Sequence, residues 1–168
     1  MIITEVIGNL KDIAQAGRNV DYLELEWYET SKRILHKESS LGRTIRLKFL
    51  NQTQSLAEGD ILYQDKETLV IVQVRACESI VIRPGSMYEM AYVCYEIGNK
   101  HLPLFYENDE LVIPYEAPLL RVLQASGLKP LIEHRKLLHP LKTTVSPHGH
   151  ADGKSLFSKI LQLTSSNG

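Results

Sequence analysis

The feature of this sequence that most restricts its fold is a change in hydrophobic period near residue 75. Before that residue apolar and polar residues alternate, as where Leu23, Leu25 and Trp27 are separated by glutamates. Alternation with period two indicates a strand with one exposed face. It returns at 44–49, and the β-branched run at 69–72 has the composition of a buried strand. We expect no long helix in this part, so residues 1–75 are predicted to form an all-β domain.

Helical spacing first occurs after a strand-like segment at 79–83 and a Pro-Gly turn. Ser86, with a glutamate three residues later, fits the capping box of a helix start. Gly98 and Asn99 are able to take the left-handed conformation that closes a helix, so this helix is predicted to end beside His101. Its apolar face is predicted from the residues at helical spacing: Met87, Met90, Ala91, Cys94 and Ile97.

The pattern then changes back to short apolar segments. Those at 102–106 and 111–115 flank an Asn-Asp pair, which predicts a hairpin. Pro118 suits the first turn of a second helix, and Gly127 suits its C-terminal cap. Ile132 and the two leucines at 137 and 138 are expected to complete a last strand. The order from residue 79 is therefore strand, helix, strand, strand, helix, strand, which is the ferredoxin-like arrangement.

These patterns together predict a two-domain fold with a tail. An N-terminal all-β domain covers 1–75, and a C-terminal α+β ferredoxin-like (βαββαβ) domain covers 76–141. Residues 142–168 are rich in Thr, Ser, Pro, Gly and His and are predicted to form a flexible, histidine-containing tail. Apolar residues at helical spacing within 156–163 are expected to form a short amphipathic helix in that tail.

Charge and apolar content narrow the classes of partner. The chain carries 19 Lys+Arg against 20 Asp+Glu, a net charge of −1, so it has no overall basic field to attract nucleic acid or anionic lipid. No apolar run reaches the ~20 residues that span a bilayer, and no signal peptide is recognised, so we expect a cytoplasmic protein that binds no membrane. Cys77 and Cys94 are interpreted as thiols, because a single disulfide is unusual in a reducing compartment.

Histidines are the candidate metal ligands, and five of the six follow residue 100. His148 and His150 are separated by one glycine, so both imidazoles can turn towards one zinc, copper, nickel or iron ion. On spacing alone, a solvated His-Gly-His without a specific ion fits equally well. His101 follows a helix end, where a lone histidine is more often a hydrogen-bonded structural residue than a metal ligand.

Sequence signatures of enzymes are absent. The chain has no Gly-x-Ser-x-Gly, His-Glu-x-x-His, P-loop or Gly-x-Gly-x-x-Gly motif, so we expect no enzymatic activity. Glu107, Asp109 and Glu110 are interpreted as a solvated hairpin turn, because nothing nearby is expected to perturb their pKa values. Tyr88, Tyr92 and Tyr95 recur at helical spacing and are interpreted as packing or interface aromatics.

The segment at 94–101 reads Cys-Tyr-Glu-Ile-Gly-Asn-Lys-His and resembles the Glu-Ile-Gly-Asn-Arg-His segment of urease accessory proteins of the UreE family. The resemblance extends over nearly the whole chain. Residues 21–27 are similar to that family's early strand, 59–62 to its Gly-Asp turn, and 115–127 to its last helix. The family combines an N-terminal β domain proposed to bind proteins or peptides, a ferredoxin-like metal-binding domain and a histidine-bearing tail, the same order as periodicity predicts.

This resemblance implies a function and a set of ligands. It implies a non-enzymatic homodimer, a metallochaperone that binds nickel, and zinc as well, and delivers nickel to the urease apoprotein with an accessory GTPase of the UreG type. His101 is then expected at a two-fold dimer interface, where each subunit presents one imidazole to a shared ion. His148 and His150 are expected to supply further ligands, and His148 is the first candidate.

The sequence departs from the family at three points. Lys100 stands where the family commonly has arginine, the tail carries two histidines instead of a long run, and the hairpin at 107–112 lacks an additional His-x-His. High-capacity nickel storage and a second surface site are therefore not expected. The main alternative is a protein-interaction adaptor in which the histidines bind no metal. A small metal-dependent hydrolase ranks last, because no general base can be named.

Overall fold

The computed structural model describes residues 1–12, 17–50 and 55–141, and their N-terminal part is built from strands. The strands form two sheets, in the orders β1-β5-β4 and β2-β6-β7-β3. They are β1 (Ile2–Ile3), β2 (Gly8–Asn9), β3 (Asn19–Leu25), β4 (Ile34–Glu38), β5 (Thr44–Lys48), β6 (Asp60–Gln64) and β7 (Thr68–Val74). The predicted strands at 44–49 and 69–72 are confirmed as β5 and β7.

The core of this β-rich part lies between its two sheets. Alternate residues of β3, β5 and β7 point inwards and share one buried cluster, which includes Leu23, Leu25, Ile45, Leu47, Val70 and Val72. Strand β7 is buried on both faces, because Leu69 and Ile71 pack in a second cluster on its other side. The alternation seen in the sequence therefore reflects one fully buried face on β3 and β5, whose other face is half-buried on β3 and exposed on β5.

The prediction that the first strand continues to Trp27 is wrong. Strand β3 ends at Leu25, and Trp27–Glu29 forms a 3₁₀ turn. The Glu26 N–H donates to the Glu29 carboxylate at 3.0 Å, which satisfies a main-chain donor at the start of the turn. This local capping bond ends the extended conformation and turns Trp27 away from the core between the two sheets.

The C-terminal part of the described chain is an α+β unit. Its elements are β8 (Ala76–Ile82), α1 (Met87–Asn99), β9 (Phe105–Glu107), β10 (Glu110–Pro114), α2 (Ala117–Ala125) and β11 (Leu131–Lys136). The sheet has the order β11-β8-β10-β9, and all neighbouring strands are antiparallel. This topology confirms the ferredoxin-like prediction, and both helices pack on one face of the sheet through a shared apolar cluster.

The apolar face predicted for α1 is partly wrong. Its buried residues are Val93 and Ile97, whereas Met87 is 84% exposed and Ala91 is exposed as well. Apolar residues occur on both sides of this helix, so their spacing alone does not define which side faces the sheet. The exposed side also carries Tyr95, and it is therefore unusually apolar for a helix surface.

The two parts of the chain are in contact. Only Arg75 separates β7 from β8. Trp27 packs on the sheet face opposite the helices, where its ring meets that of Phe105 edge-on with 5.7 Å between centroids. Lys136 donates to the Glu58 carboxylate at 2.6 Å across the same junction. The β-rich part thus covers a portion of the helix-free face of the ferredoxin-like sheet.

Two further sequence predictions concern the C-terminal tail and membrane-spanning segments. The predicted tail at 142–168, with its short helix at 156–163, lies outside the described residues. Among the helices that the structure does describe, none is both long and apolar enough to cross a membrane.

Candidate metal centre

His101 lies directly after the C-terminal end of α1, and its main chain closes that helix. The His101 N–H donates to the Gly98 carbonyl at 3.0 Å, and the Leu102 N–H donates to the Ile97 carbonyl at 3.2 Å. These two bonds form a Schellman motif, in which the second residue after the helix takes the left-handed conformation. Ile97 and Leu102 also belong to one apolar cluster, so the end of the helix is fixed against the core.

The left-handed residue is His101 itself, with a φ of 54°. The prediction that Gly98 or Asn99 closes the helix is therefore wrong, because α1 runs through both. Elsewhere in the described chain, positive φ at a non-glycine residue occurs only at Asn108 and Asp109, the hairpin turn. The left-handed conformation costs an L-residue about 1–2 kcal/mol. Such strain is retained where the surrounding structure enforces it, and here the helix end and Leu102 do so.

His101 is accessible to solvent, and its surroundings attract a cation only weakly. Its side chain is exposed, and it lies at the negative end of the α1 dipole. A cation at the C-terminal end of an exposed helix gains about 0.3–1 kcal/mol from that dipole. The exposed Lys100 beside it opposes part of this attraction. An ion bound here would therefore depend mainly on its direct ligands, and it would remain open to exchange.

The end of the described chain returns to the segment that carries His101. The Leu141 N–H donates to the Leu104 carbonyl at 2.8 Å, and Pro140 forms an antiparallel bridge with Phe105. Because the pairing is antiparallel, the chain at Leu141 runs in the direction of His101. Residues that follow Leu141 consequently start from a point only three residues along the chain from His101.

The other histidines that the structure describes lie on elements away from the end of α1. His36 lies on β4, His134 lies on β11, and His139 lies after β11; all three are exposed. In residues 1–12, 17–50 and 55–141 no group of three or more His, Cys, Asp or Glu side chains is placed to hold a metal ion. His148 and His150 lie outside the described residues. The interpretation of both cysteines as thiols is confirmed, since both are free.

The acidic hairpin differs from its sequence interpretation. Glu110 is only 9% exposed, and it accepts hydrogen bonds from Arg83 at 2.6 Å and from Arg135 at 2.8 Å. The bond from Arg83, helped by Arg135 and opposed by burial, lowers the pKa of Glu110. Asp109 does lie exposed, where it accepts a bond from the Tyr106 hydroxyl. Glu110 is thus a structural ion-pair residue, and its lowered pKa makes it a poor general base at neutral pH.

Comparison with known protein families decides what the chain is related to. Residues 3–75 match the family model of the UreE urease accessory protein N-terminal domain, and residues 77–155 match the model of its C-terminal domain. The chain belongs to the UreE family. The urease accessory protein UreE of Flavobacterium johnsoniae is 44% identical over 163 residues, covering 97% of this chain and 99% of that protein. Those of Acetivibrio thermocellus and Helicobacter pylori are 40% and 35% identical, over 90% and 92% of this chain and 98% and 93% of their own lengths.

UreE membership confirms the resemblance that was drawn from the segment ending at His101. Together with the two sheets and the ferredoxin-like unit, it also confirms the predicted fold class. A urease accessory protein of the UreE family fits the role of a chaperone in urease maturation, with nickel as its cargo.

Proposed function

We propose that this chain is a non-enzymatic nickel metallochaperone of the cytoplasm, a homodimer that binds Ni²⁺ through His101 of both subunits and delivers it to urease. Its partners in this proposal are the urease apoprotein complex and an accessory GTPase of the UreG type. The observation that supports it best is the placement of His101, an exposed imidazole on a rigid helix end beside the start of the tail. UreE membership supplies the link to urease.

The exposed side of α1 supports a dimer that includes His101. Met87, Tyr88 and Tyr95 are 84%, 79% and 68% exposed, which is unusual for large apolar or aromatic side chains on one helix. The same helix ends at His101. Two copies can meet on this side about a two-fold axis that runs parallel to α1. Each copy then buries the other's apolar residues, and the two His101 imidazoles approach one another. One ion per dimer is the stoichiometry that this arrangement requires.

The return of the chain at Leu141 supports additional ligands from the tail. His148 is seven positions after Leu141, and an extended chain of that length spans at most about 25 Å. Leu104, to which Leu141 is bonded, is three residues from His101, or at most about 11 Å. His148 and His150 are therefore within reach of an ion at His101. Ni²⁺ favours tetragonal N and O ligation, so two imidazoles alone would leave its coordination incomplete.

Neutral imidazoles are the ligands in this proposal, so protons compete with the metal. Nickel affinity is expected to fall as the pH drops through about 6.5, the unperturbed histidine pKa. Zinc is expected to bind the same site, because imidazole suits both ions. An unchanged nickel affinity at about pH 5 would contradict histidine ligation.

The test is a calorimetric titration of nickel and zinc into the full chain, with light scattering to determine the oligomer. The variants are His101→Ala and the double variant His148→Ala/His150→Ala, and His36→Ala on β4 is the matched control. We expect about one ion per wild-type dimer, loss of this site in His101→Ala, weaker binding in the tail variant and no change in the control. Equal binding by all four proteins would favour the protein-interaction adaptor.

A further inference from the structure

The outward face of the sheet β1-β5-β4 has a composition that the packing of the chain does not explain. Inward residues such as Ile45 and Leu47 alternate with outward residues that are exposed. We call the outward set the β5 face. It consists of Ile2 on β1, Ile34, His36 and Glu38 on β4, Thr44, Arg46 and Lys48 on β5, and Leu50, two residues after the end of β5.

The β5 face carries large aliphatic side chains in open solvent. Ile2, Ile34 and Leu50 are 57%, 65% and 66% exposed. The outer face of a sheet that is covered on one side only is normally polar, so two isoleucines on this short mixed sheet and a leucine just beyond it are unusual. Strand register places two of them beside cations, since Ile2 is paired with Arg46 and Ile34 with Lys48.

The two cations at the centre of the β5 face lack carboxylate partners in the described part of the chain. Arg46 and Lys48 take part in no ion pair there, whereas the nearby Arg43 and Lys37 are both paired with acidic side chains. The acidic residue of the β5 face, Glu38, stands opposite Thr44 at one end of the strand pair. The centre of the β5 face therefore combines unneutralised positive charge with exposed apolar surface.

We propose that the β5 face binds an acidic segment of a partner protein, whose carboxylates pair with Arg46 and Lys48 while its apolar side chains cover Ile2, Ile34 and Leu50. A second copy of this chain does not fit, because a two-fold contact between two β5 faces would bring like charges together. A nucleic acid fits poorly, because the β5 face offers only two strong cations and no aromatic side chain on which a base could stack.

This surface lies on the β-rich part of the chain, whereas His101 lies on the ferredoxin-like part. Metal binding and partner binding are therefore assigned to different elements, and they can be changed separately. The inference rests on the proposed function for the choice of partner: the accessory GTPase and the urease apoprotein complex are the two proteins to test.

The test uses the purified full chain and the double variant Arg46→Glu/Lys48→Glu. Its matched control is Arg121→Glu/Lys129→Glu, which makes the same change of charge at two exposed cations that have no ion-pair partner among the described residues. Binding of the accessory GTPase and of the urease apoprotein complex is measured by biolayer interferometry. Ionic strength is varied from low values to about 1 M, where screening shortens the Debye length to about 3 Å.

We expect the β5-face variant to bind at least one of the two proteins about tenfold more weakly or worse at low salt, and the control to keep wild-type affinity. The variant Ile34→Ser tests the apolar component and should weaken the same complex without a change in salt dependence. Failure of both proteins to bind the wild type would overturn the inference, as would unchanged binding by the β5-face variant or equal loss in the control. Nickel titration of the same samples identifies a failure of the proposed function, because these substitutions leave His101 intact.

Discussion

The strained conformation of His101 allows its role in the fold to be separated from its proposed role in metal binding. His101→Gly and His101→Ala both remove the imidazole, so a difference in their stability reports the main chain alone. At a φ of 54°, alanine bears the left-handed cost of about 1–2 kcal/mol, which glycine avoids. Glycine loses about 0.5–1 kcal/mol more chain entropy on folding. The midpoints of these two ranges leave His101→Gly more stable than His101→Ala by about 0.75 kcal/mol.

Differential scanning calorimetry with a metal chelator present would measure this difference. For a chain of this size about 1 kcal/mol shifts Tm by about 2–4 °C, so His101→Gly should unfold one to a few degrees above His101→Ala. Gly127→Ala provides the inverse control, because Gly127 caps α2 at a φ of 85° and a Cβ there meets no atom within 4 Å. It should lower Tm by a similar amount. Equal melting temperatures for the two His101 variants would refute the strain argument.

Three substitutions test the contacts that hold the fold. Glu110→Gln should cost about 1–3 kcal/mol at about pH 7 in urea denaturation, because two guanidinium groups lose a charged acceptor. Since the pKa of Glu110 is lowered in the folded state, its contribution to stability is complete above the unfolded pKa of about 4.3 and is lost as the pH falls through the folded pKa, so the stabilities of wild type and variant should converge in acid. Asp21→Ala should cost about 3 kcal/mol in the same assay, because Asp21 is fully buried and bonded to Ser39, Leu41 and Arg43. Trp27→Ala should cost about 3 kcal/mol by circular dichroism in guanidinium, the low end for a large aromatic because the ring is half-buried; a loss below about 1 kcal/mol would show that the contact with Phe105 contributes little.

Elements with a strong local pattern could be predicted from the sequence, and elements that depend on partners could not. Strands β5 and β7 were identified because burial on one or both faces leaves a period in the chain. Strand β4 has no such signal: Lys37 occupies an inward position and pairs with Glu29, so the alternation is hidden by a tertiary ion pair. The two-residue strands β1 and β2 are likewise defined by their neighbours and not by their own composition.

Glu110 shows the same limit for an acidic side chain. Its sequence neighbours are those of a polar hairpin, and they predict exposure. Its two cationic partners, Arg83 directly after β8 and Arg135 on β11, are 27 and 25 positions away in the sequence. A charge buried by such distant residues leaves no local pattern, so its pKa shift appears only once the sheet order is known.

The cap at His101, in contrast, has a signal in the sequence, but the conformational preferences of glycine and asparagine obscure it. Glycine and asparagine favour the left-handed conformation, which drew the prediction to Gly98 and Asn99. A Schellman cap also favours an apolar contact between the residues four before and one after the left-handed position. For Asn99 those residues are Tyr95 and Lys100, whereas for His101 they are Ile97 and Leu102, which share the core. Core packing therefore outweighs the intrinsic preference of single residues, and α1 extends until Leu102 can be buried.

The five residues from His101 to Phe105 connect three parts of the molecule. His101 ends α1, Leu104 holds the chain at Leu141, and Phe105 packs against Trp27 of the β-rich part. Because Leu102 fixes the first of these residues in the core and the Trp27 ring contacts the last, the segment is restrained at both ends. On one side, an ion at His101 would thus be bound by a ligand that the end of α1 holds in place. Its exchange would depend on the remaining ligands, which come from other parts of the protein. Proposed nickel delivery needs such an asymmetry, since a partner can displace exchangeable ligands without unfolding the helix end.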